Sequence, residues 1–394
     1  MDGIRSERAP EKADWWDRVK RFAILMTAAV VLASCGSARV APPAPTTSPE
    51  APTAAPTAAP TTPTASPEPT ATPDPRQYAK LRVFVASENT DQVWVMEGAP
   101  GGEYALLTKI PVGRLPHQMA VAPNGKFVAV NNRMSNTTSV IDPFTMKEIQ
   151  RIPVGKQPHG ITFSVDSKTL YVAHERDPYI LAIDTATWKT TAFMVGVPQH
   201  VLTISAAHPN EIWFTVTNSS ETDVLRVIDV TTKEITKVKV GDVHDAYFTP
   251  DGSEIWSSSS GFLDKPSDRM VIYDPATRKV KEEIRLTGHY PFHTLKPFQD
   301  GMYALREPGL IVLSDHTFPG LMWVDWRERR VVGETKLGQQ PFHSTYDPEG
   351  NRLLVTTNVD GMVNVIDLKT RQVVQKVPVS KPHGIVSVGI QAGQ

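Results

Sequence analysis

The chain has 394 residues, a net charge of −1 and 21% charged residues. That length suits one large folded unit or two ordinary ones. With no basic excess, and with aromatics scattered away from any Lys/Arg patch, nucleic acid is not expected as a partner.

In chain order the first element is a targeting segment. Arg18, Lys20 and Arg21 precede an apolar run over residues 22–33, "FAILMTAAVVLA", which is too short to cross a bilayer as a stable helix. The run ends in "LASCG", residues 32–36. Cys35 is the only cysteine of the chain, so no internal disulfide can form. The stretch resembles the lipobox of bacterial lipoproteins, with Leu32, small Ala33 and Ser34, then Cys35. The resemblance implies a signal peptide over residues 1–34, cleavage before Cys35 and a lipid on its sulfur. It also implies an extracytoplasmic protein held on the cell membrane, in the periplasm or at the cell surface.

Residues 35–78 follow as a spacer. Their centre, "APPAPTTSPEAPTAAPTAAPTTPTASPEPTATPDP" (41–75), is Pro, Thr and Ala without large apolar side chains. Such a segment cannot bury enough surface to offset the entropy of ordering it. As an extended chain at about 3.1 Å per residue it spans up to ~100 Å.

From residue 79 to 394, short β-rich runs alternate with turn signals and helical periodicity is absent. One unit sets the pattern: strand "HGITFS" (159–164), strand "TLYVAH" (169–174), strand "YILAID" (179–184) and strand "TTAFMVG" (190–196). Tight turns between the first two strands read "PNG" (123–125), "HPN" (208–210), "PDG" (250–252), "QDG" (299–301) and "PEG" (348–350), residues that tolerate positive φ. The third strand ends in Asp142, Asp184, Asp229, Asp274, Asp325 or Asp367, with Glu97 as the outlier. These acids are expected to cap the following turn.

The units begin at His117, His159, His200, His244, His293, His343 and His383, at intervals of 40–50 residues. A repeat of that length with four strands per unit marks a β-propeller. The last unit has only its first strand. Its other three are expected at "LRVFVAS" (81–87), "QVWVME" (92–97) and "ALLTKIPVG" (105–113). The prediction is an all-β, seven-bladed propeller with four-stranded blades, closed by the C-terminal strand joining the N-terminal ones, which leaves no free edge.

The stretch "QPHGITFSVDSKTLYVAHERDPYILAIDTATWKT" is similar to YVTN-type propeller repeats, as found in surface-layer and periplasmic seven-bladed proteins. The resemblance covers residues 79–394 and implies the fold. Its relatives include sugar-lactone hydrolases, nucleic-acid- or partner-binding scaffolds and the haem- or copper-carrying propellers of denitrification enzymes, so it does not choose a function.

Since the first strand of each blade lines the channel, the seven histidines are expected at one mouth of it, pointing alike. Residues on either side of them vary and the imidazole stays. Two readings remain open. The rings either bond the backbone of the next blade or form a ring of ligands for a transition metal such as Cu, Zn or Fe, or for a metal-containing, haem-like group. A backbone radius of roughly 8–11 Å and an inward reach of about 5 Å put the nitrogens too far from the axis for one ion to satisfy all seven. Nitrous oxide reductase is a propeller family with seven histidines on a copper cluster, but the adjacent His-His pair of that family is missing here.

The loops between second and third strands open on the histidine face. Residues 261–268 and 308–319 are read as two long ones, carrying Asp264, Lys265, Asp268, Asp315 and His316, with Arg306 just before the second. His174, Glu175, Arg176 and Asp177 follow a second strand in another blade. His174, His316, Arg306 and Asp315 are candidate rim residues, His289 a further one, and His208 is placed in a turn on the opposite face. The chain shows no GxSxG elbow, P-loop, HExxH or CxxCH. Three functions are compatible with this pattern. The first is an anchored binding protein for a metal or small ligand at the channel mouth. The second is a lactonase-like hydrolase or redox protein using the same pocket. The third is a scaffold for cell-wall polymer or for a protein partner on the histidine face, with the histidines structural.

Overall fold

The computed structural model describes residues 78–216, 225–238, 243–249, 251–258, 268–288, the backbone of 291–295, 310–315 and 319–391. The expected signal peptide, Cys35 and nearly all of the spacer lie outside these residues. So do His289, His316 and Arg306.

Twenty-eight strands form seven four-stranded antiparallel sheets. Blades are numbered here by their histidines. Blade 7 combines β1 (Lys80–Ser87), β2 (Gln92–Gly98) and β3 (Ala105–Pro111) with the C-terminal strand. Blade 1 holds β4 (Pro116–Val121), β5 (Val128–Asn132), β6 (Thr137–Asp142) and β7 (Lys147–Pro153). Blade 2 holds β8 (Pro158–Phe163), β9 (Thr169–His174), β10 (Tyr179–Asp184) and β11 (Thr190–Met194). Blade 3 holds β12 (Gln199–Ser205), β13 (His208–Val216), β14 (Leu225–Asp229) and β15 (Ile235–Val238). Blade 4 holds β16 (Ala246–Phe248), β17 (Ile255–Ser258), β18 (Arg269–Asp274) and β19 (Lys279–Arg285). Blade 5 holds β20 (Pro291–Leu295), β21 (Leu310–Asp315), β22 (Gly320–Asp325) and β23 (Arg330–Lys336). Blade 6 holds β24 (Pro341–Asp347), β25 (Arg352–Thr357), β26 (Met362–Asp367) and β27 (Gln372–Pro378). The last strand, β28 (Pro382–Ile390), pairs with β1 from Lys80↔Ile390 to Ser87↔Pro382 and closes the ring.

The apolar residues form seven clusters, each between two neighbouring blades. Middle strands therefore bury both faces. In β9, Leu170 and Val172 pack toward blade 1, while Tyr171 and Ala173 pack toward blade 3. This is why "TLYVAH" reads as a continuous apolar run rather than an alternating one. Each fully buried Leu, Ile or Phe contributes about 1.5–3 kcal/mol. The outermost strands alternate, as in "KEIQRIP" of β7, because one face meets solvent.

The turn after the third strand repeats one device in six of the seven blades. Asp142, Asp184, Asp229, Asp274, Asp325 and Asp367 accept hydrogen bonds from backbone N–H groups two or three residues on. The residue four after each Asp then takes positive φ: Met146, Trp188, Lys233, Arg278, Arg329 and Arg371. These long side chains reach back to the preceding blade. Trp188 meets Phe127, Lys233 covers Phe193, Arg278 bonds Glu211, Arg329 bonds Glu254, and Arg371 bonds Val332 O.

Three expectations change. Residues 308–319 are not one long loop, because Leu310–Asp315 is β21, paired with β22 from Leu310↔Asp325 to Ser314↔Leu321 and buried throughout. In chain order Arg306 therefore precedes the second strand and does not follow it. His208 begins strand β13 opposite Ser205 and stacks at 5.6 Å on Phe248, so the tight turn is Ala206–Ala207 and not the "HPN". Tyr78, assigned to the spacer, is buried and donates a hydrogen bond to Asp347, so packing of the folded unit begins one residue earlier.

Candidate functional site: a histidine ring and the carboxylates above it

The innermost strands begin one or two residues before the histidine in six blades, and in blade 4 just after it. Proline opens β4, β8, β20, β24 and β28, where its missing N–H leaves no ladder bond unmade. Two of the histidines are followed by glycine for a steric reason. A Cβ on Gly160 would stand 2.5 Å from His200 O, and one on Gly384 would run into His117 O, so the next blade approaches too closely for any side chain.

Six of the seven histidines have described side chains, and each touches its neighbour in ring order. Ring centroids are 4.8 Å apart for His343 and His383, 3.6 Å for His383 and His117, and 4.8 Å for His117 and His159. They are 3.8 Å apart for His159 and His200, and 4.6 Å for His200 and His244. All six are buried. His293 lies in β20, at the matching place in blade 5, and its side chain is outside the described residues. Seven rings at this spacing on a closed circle would stand about 5 Å from its axis, whereas a metal–nitrogen bond is about 2.0–2.1 Å. The geometry therefore favours off-axis pairs over one axial ion.

His159 shows how a ring is fixed. Its Nδ1 stands 3.0 Å from His200 O. A carbonyl only accepts, so Nδ1 carries the proton and Nε2 holds the lone pair. Burial, reinforced by His200, His117 and Arg133, pushes its pKa well below the ordinary histidine value, so the ring is neutral near pH 7.

A second tier of side chains comes from the residue that follows each second strand. In blade 7 this is Glu88, whose Oε1 accepts from His117 Nδ1 at 2.7 Å and whose Oε2 accepts from Asn358 Nδ2 at 3.0 Å. In blades 1 and 2 they are Arg133 and Glu175. Arg133 donates to Glu175 Oε2 through Nε (3.0 Å) and Nη2. Glu175 Oε1 faces the ring, 3.7 Å from His200 Nε2 and 4.0 Å from His159 Nε2. Within the ring layer, Asp245 Oδ1 is 2.9 Å from His244 Nδ1. Among the described residues, three groups of two histidines and one carboxylate bring one ligand atom each within 4.8 Å of one another: Glu88–His117–His383, His159–Glu175–His200, and His200–His244–Asp245.

The other expected site residues fall differently. His174 is fully buried and not at an open rim. Its Nε2 accepts from Gly155 N–H and its Nδ1 donates to Tyr179 O, both at 3.0 Å, so both nitrogens serve the backbone. Asp315 ends β21 opposite Pro291, at the histidine end of blade 5, and is buried. Asp268 pairs with Arg285 at 2.6 Å. Sequence reading named Glu175 only as one of several loop charges and passed over Glu88 and Asp245 as ligands. The signal was available. Aligned across the blades, the position after the second strand reads Glu88, Arg133, Glu175, Thr217, Ser259, His316 and Asn358, polar every time.

The seven-bladed sheet order, closed by β28, coincides with a family model described as YNCE-like beta-propeller, which matches residues 56–391. The chain belongs to the YNCE-like β-propeller family. No curated protein matches it. Among solved structures, this YNCE-like propeller is similar to Kuenenia stuttgartiensis hydrazine synthase, with TM-score 0.57 and 17% identity over 77% of this chain and 99% of that one. It is also similar to the dihydro-heme d1 dehydrogenase NirN, solved with DHE, with TM-score 0.56 and 13% identity over 82% of this chain and 77% of that one. At these identities the likeness is one of fold.

Proposed function

We propose that this protein is a lipid-anchored, extracytoplasmic propeller that binds a transition metal, or a small ligand containing one, at the histidine mouth of its channel. The observation that carries the reading is the contiguous arc of six buried imidazoles with carboxylates set among and above them. Neutral imidazole with carboxylate suits Zn²⁺, Fe²⁺ or Cu²⁺. A planar haem-like group is too wide to enter a ring with so small a radius and would have to rest above it. The lipid on Cys35 and the Pro/Thr/Ala spacer would hold this mouth away from the membrane, where a protein partner can also meet it.

A scaffold reading has one observation in its favour. The bond from His159 Nδ1 to His200 O shows an imidazole tying one blade to the next. The test separates the two. The full chain, extracted in detergent and purified without a polyhistidine tag, is analysed for bound metal beside a variant with His117, His200 and His343 changed to Ala. Metal in the first and none in the second supports binding. No metal in either, with the variant folded but melting below the wild type, supports the scaffold.

A further inference from the structure

The three histidine–carboxylate groups are not equivalent. In two of them the carboxylate already sits at hydrogen-bond distance from a ring nitrogen, at 2.7 Å for Glu88 and His117 and 2.9 Å for Asp245 and His244. The proton on His117 Nδ1 fills the first of these gaps. Around Glu175 the gaps are wider. Its Oε1 is 3.7 Å from His200 Nε2 and 4.0 Å from His159 Nε2, beyond hydrogen-bond length. Ligand atoms on one metal with bonds of about 2.0–2.1 Å stand roughly 3.0–3.4 Å apart, so a small inward movement of these three atoms would complete a coordination face.

Two of the three atoms are also aimed. His159 gives its Nδ1 proton to His200 O, which leaves the Nε2 lone pair toward Glu175. Arg133 grips Oε2 of Glu175 with two donors and leaves Oε1 as the ligand atom. These are the outer contacts that fix ring tautomer and carboxylate orientation around a metal. A neutral imidazole has one acceptor nitrogen, so His200 can serve this group or the Asp245 group, not both.

We propose that His159 Nε2, Glu175 Oε1 and His200 Nε2 form a discrete, off-axis site for one divalent cation, with three coordination positions left open toward the channel mouth. This rests on the metal reading above and narrows it to one pair of blades. Two imidazoles and one carboxylate, with no thiolate or thioether among them, suit Fe²⁺, Co²⁺, Ni²⁺ or Zn²⁺ and disfavour Cu⁺. Glu175 and the gripping Arg133 stand nearer to solvent than the ring, with side chains 11% and 32% exposed, so an ion would enter past the carboxylate.

The test uses Co²⁺ alone, titrated into the untagged, metal-stripped full chain and followed by its visible absorption and by calorimetry. One equivalent is expected to bind tightly. Glu175→Gln keeps the shape and the Arg133 neighbour but weakens the acceptor. It is expected to lower affinity by more than about 100-fold, beyond the 10–100-fold typical of an outer-contact change. Glu88→Gln is expected to weaken binding at least ten times less. Thermal melts of both variants confirm that each is folded. Equal losses in the two variants, or tight binding that survives Glu175→Gln, overturn the site while leaving metal binding elsewhere in the ring. No uptake of Co²⁺ or Zn²⁺ by the wild type overturns both.

Discussion

The imidazole of His117 stacks on that of His383, with ring centroids 3.6 Å apart and planes 27° from parallel. One residue opens the first blade and the other opens the last, so the stack sits on the seam where the propeller closes. Gly384 lies in this seam. A Cβ there would collide with His117 O and approach Met119 Cγ at 3.0 Å. Backbone cannot yield as a flexible side chain can. Gly384→Ala is expected to cost about 1–3 kcal/mol, read as a lower melting temperature. A melt identical to wild type would show that the seam is looser than its geometry implies.

Glu254 fastens blade 5 to blade 4. It accepts from Arg329 Nη1 (2.9 Å) and Nη2 (2.6 Å), Lys281 Nζ (2.7 Å) and Trp256 Nε1 (3.0 Å). Burial alone would raise its pKa, but these donors outweigh burial and bring it down to about 2. The unfolded value is about 4.3, so the folded state binds fewer protons across that window. The clasp is at full strength above about pH 5 and is lost as the pH falls toward 2. With Lys281 and Arg329 partly in solvent, it contributes about 1–2 kcal/mol. The difference in melting temperature between wild type and Glu254→Gln should shrink as the pH drops from 5 to 3. A difference constant across that range contradicts this assignment.

Arg278 combines two opposing effects. Its φ of 57° is a left-handed conformation that costs a side chain about 1–2 kcal/mol, while its guanidinium holds Glu211 at 2.6 Å in the preceding blade. Removing the guanidinium should destabilise, but the residue put in its place decides by how much. Arg278→Gly is expected to be more stable than Arg278→Ala by about 1 kcal/mol, the reverse of the usual order. Denaturant unfolding of the two variants checks the sign, and a more stable Ala variant would refute it.

The proposed lipid anchor at Cys35 predicts a change of compartment. Cys35→Ser should move the protein from the membrane fraction to the soluble one, and mass spectrometry of the wild type should find a lipid on the residue that begins the mature chain. Retention of the serine variant in the membrane would assign the anchoring to the apolar run instead.

Much of the fold was legible because it is written seven times. The Asp that ends the third strand in six blades, the tight turn after it and the returning histidine share one interval, and a repeat that length buries its faces only by stacking on its neighbours. Blade 5 was misread where the repetition blurs. "MYALRE" and "LIVLSD" are both short apolar runs before a turn, and local pattern cannot tell which one pairs with "LMWVD". The pairing of β21 with β22 decides it, and that is a contact between strands.

The amino-acid sequence by itself determined the blade count, the closure by the two ends of the chain and the shared position of the histidines, since each follows from period and register. Only the tertiary structure decided which imidazoles meet and which carboxylates reach them. Glu175 comes to His200 from one blade away, and Glu88 meets Asn358 across almost the whole propeller sequence. Ligand-length gaps and hydrogen-bond gaps differ by about 1 Å, and a difference that small is set by how blades pack against each other, which no local pattern of residues encodes.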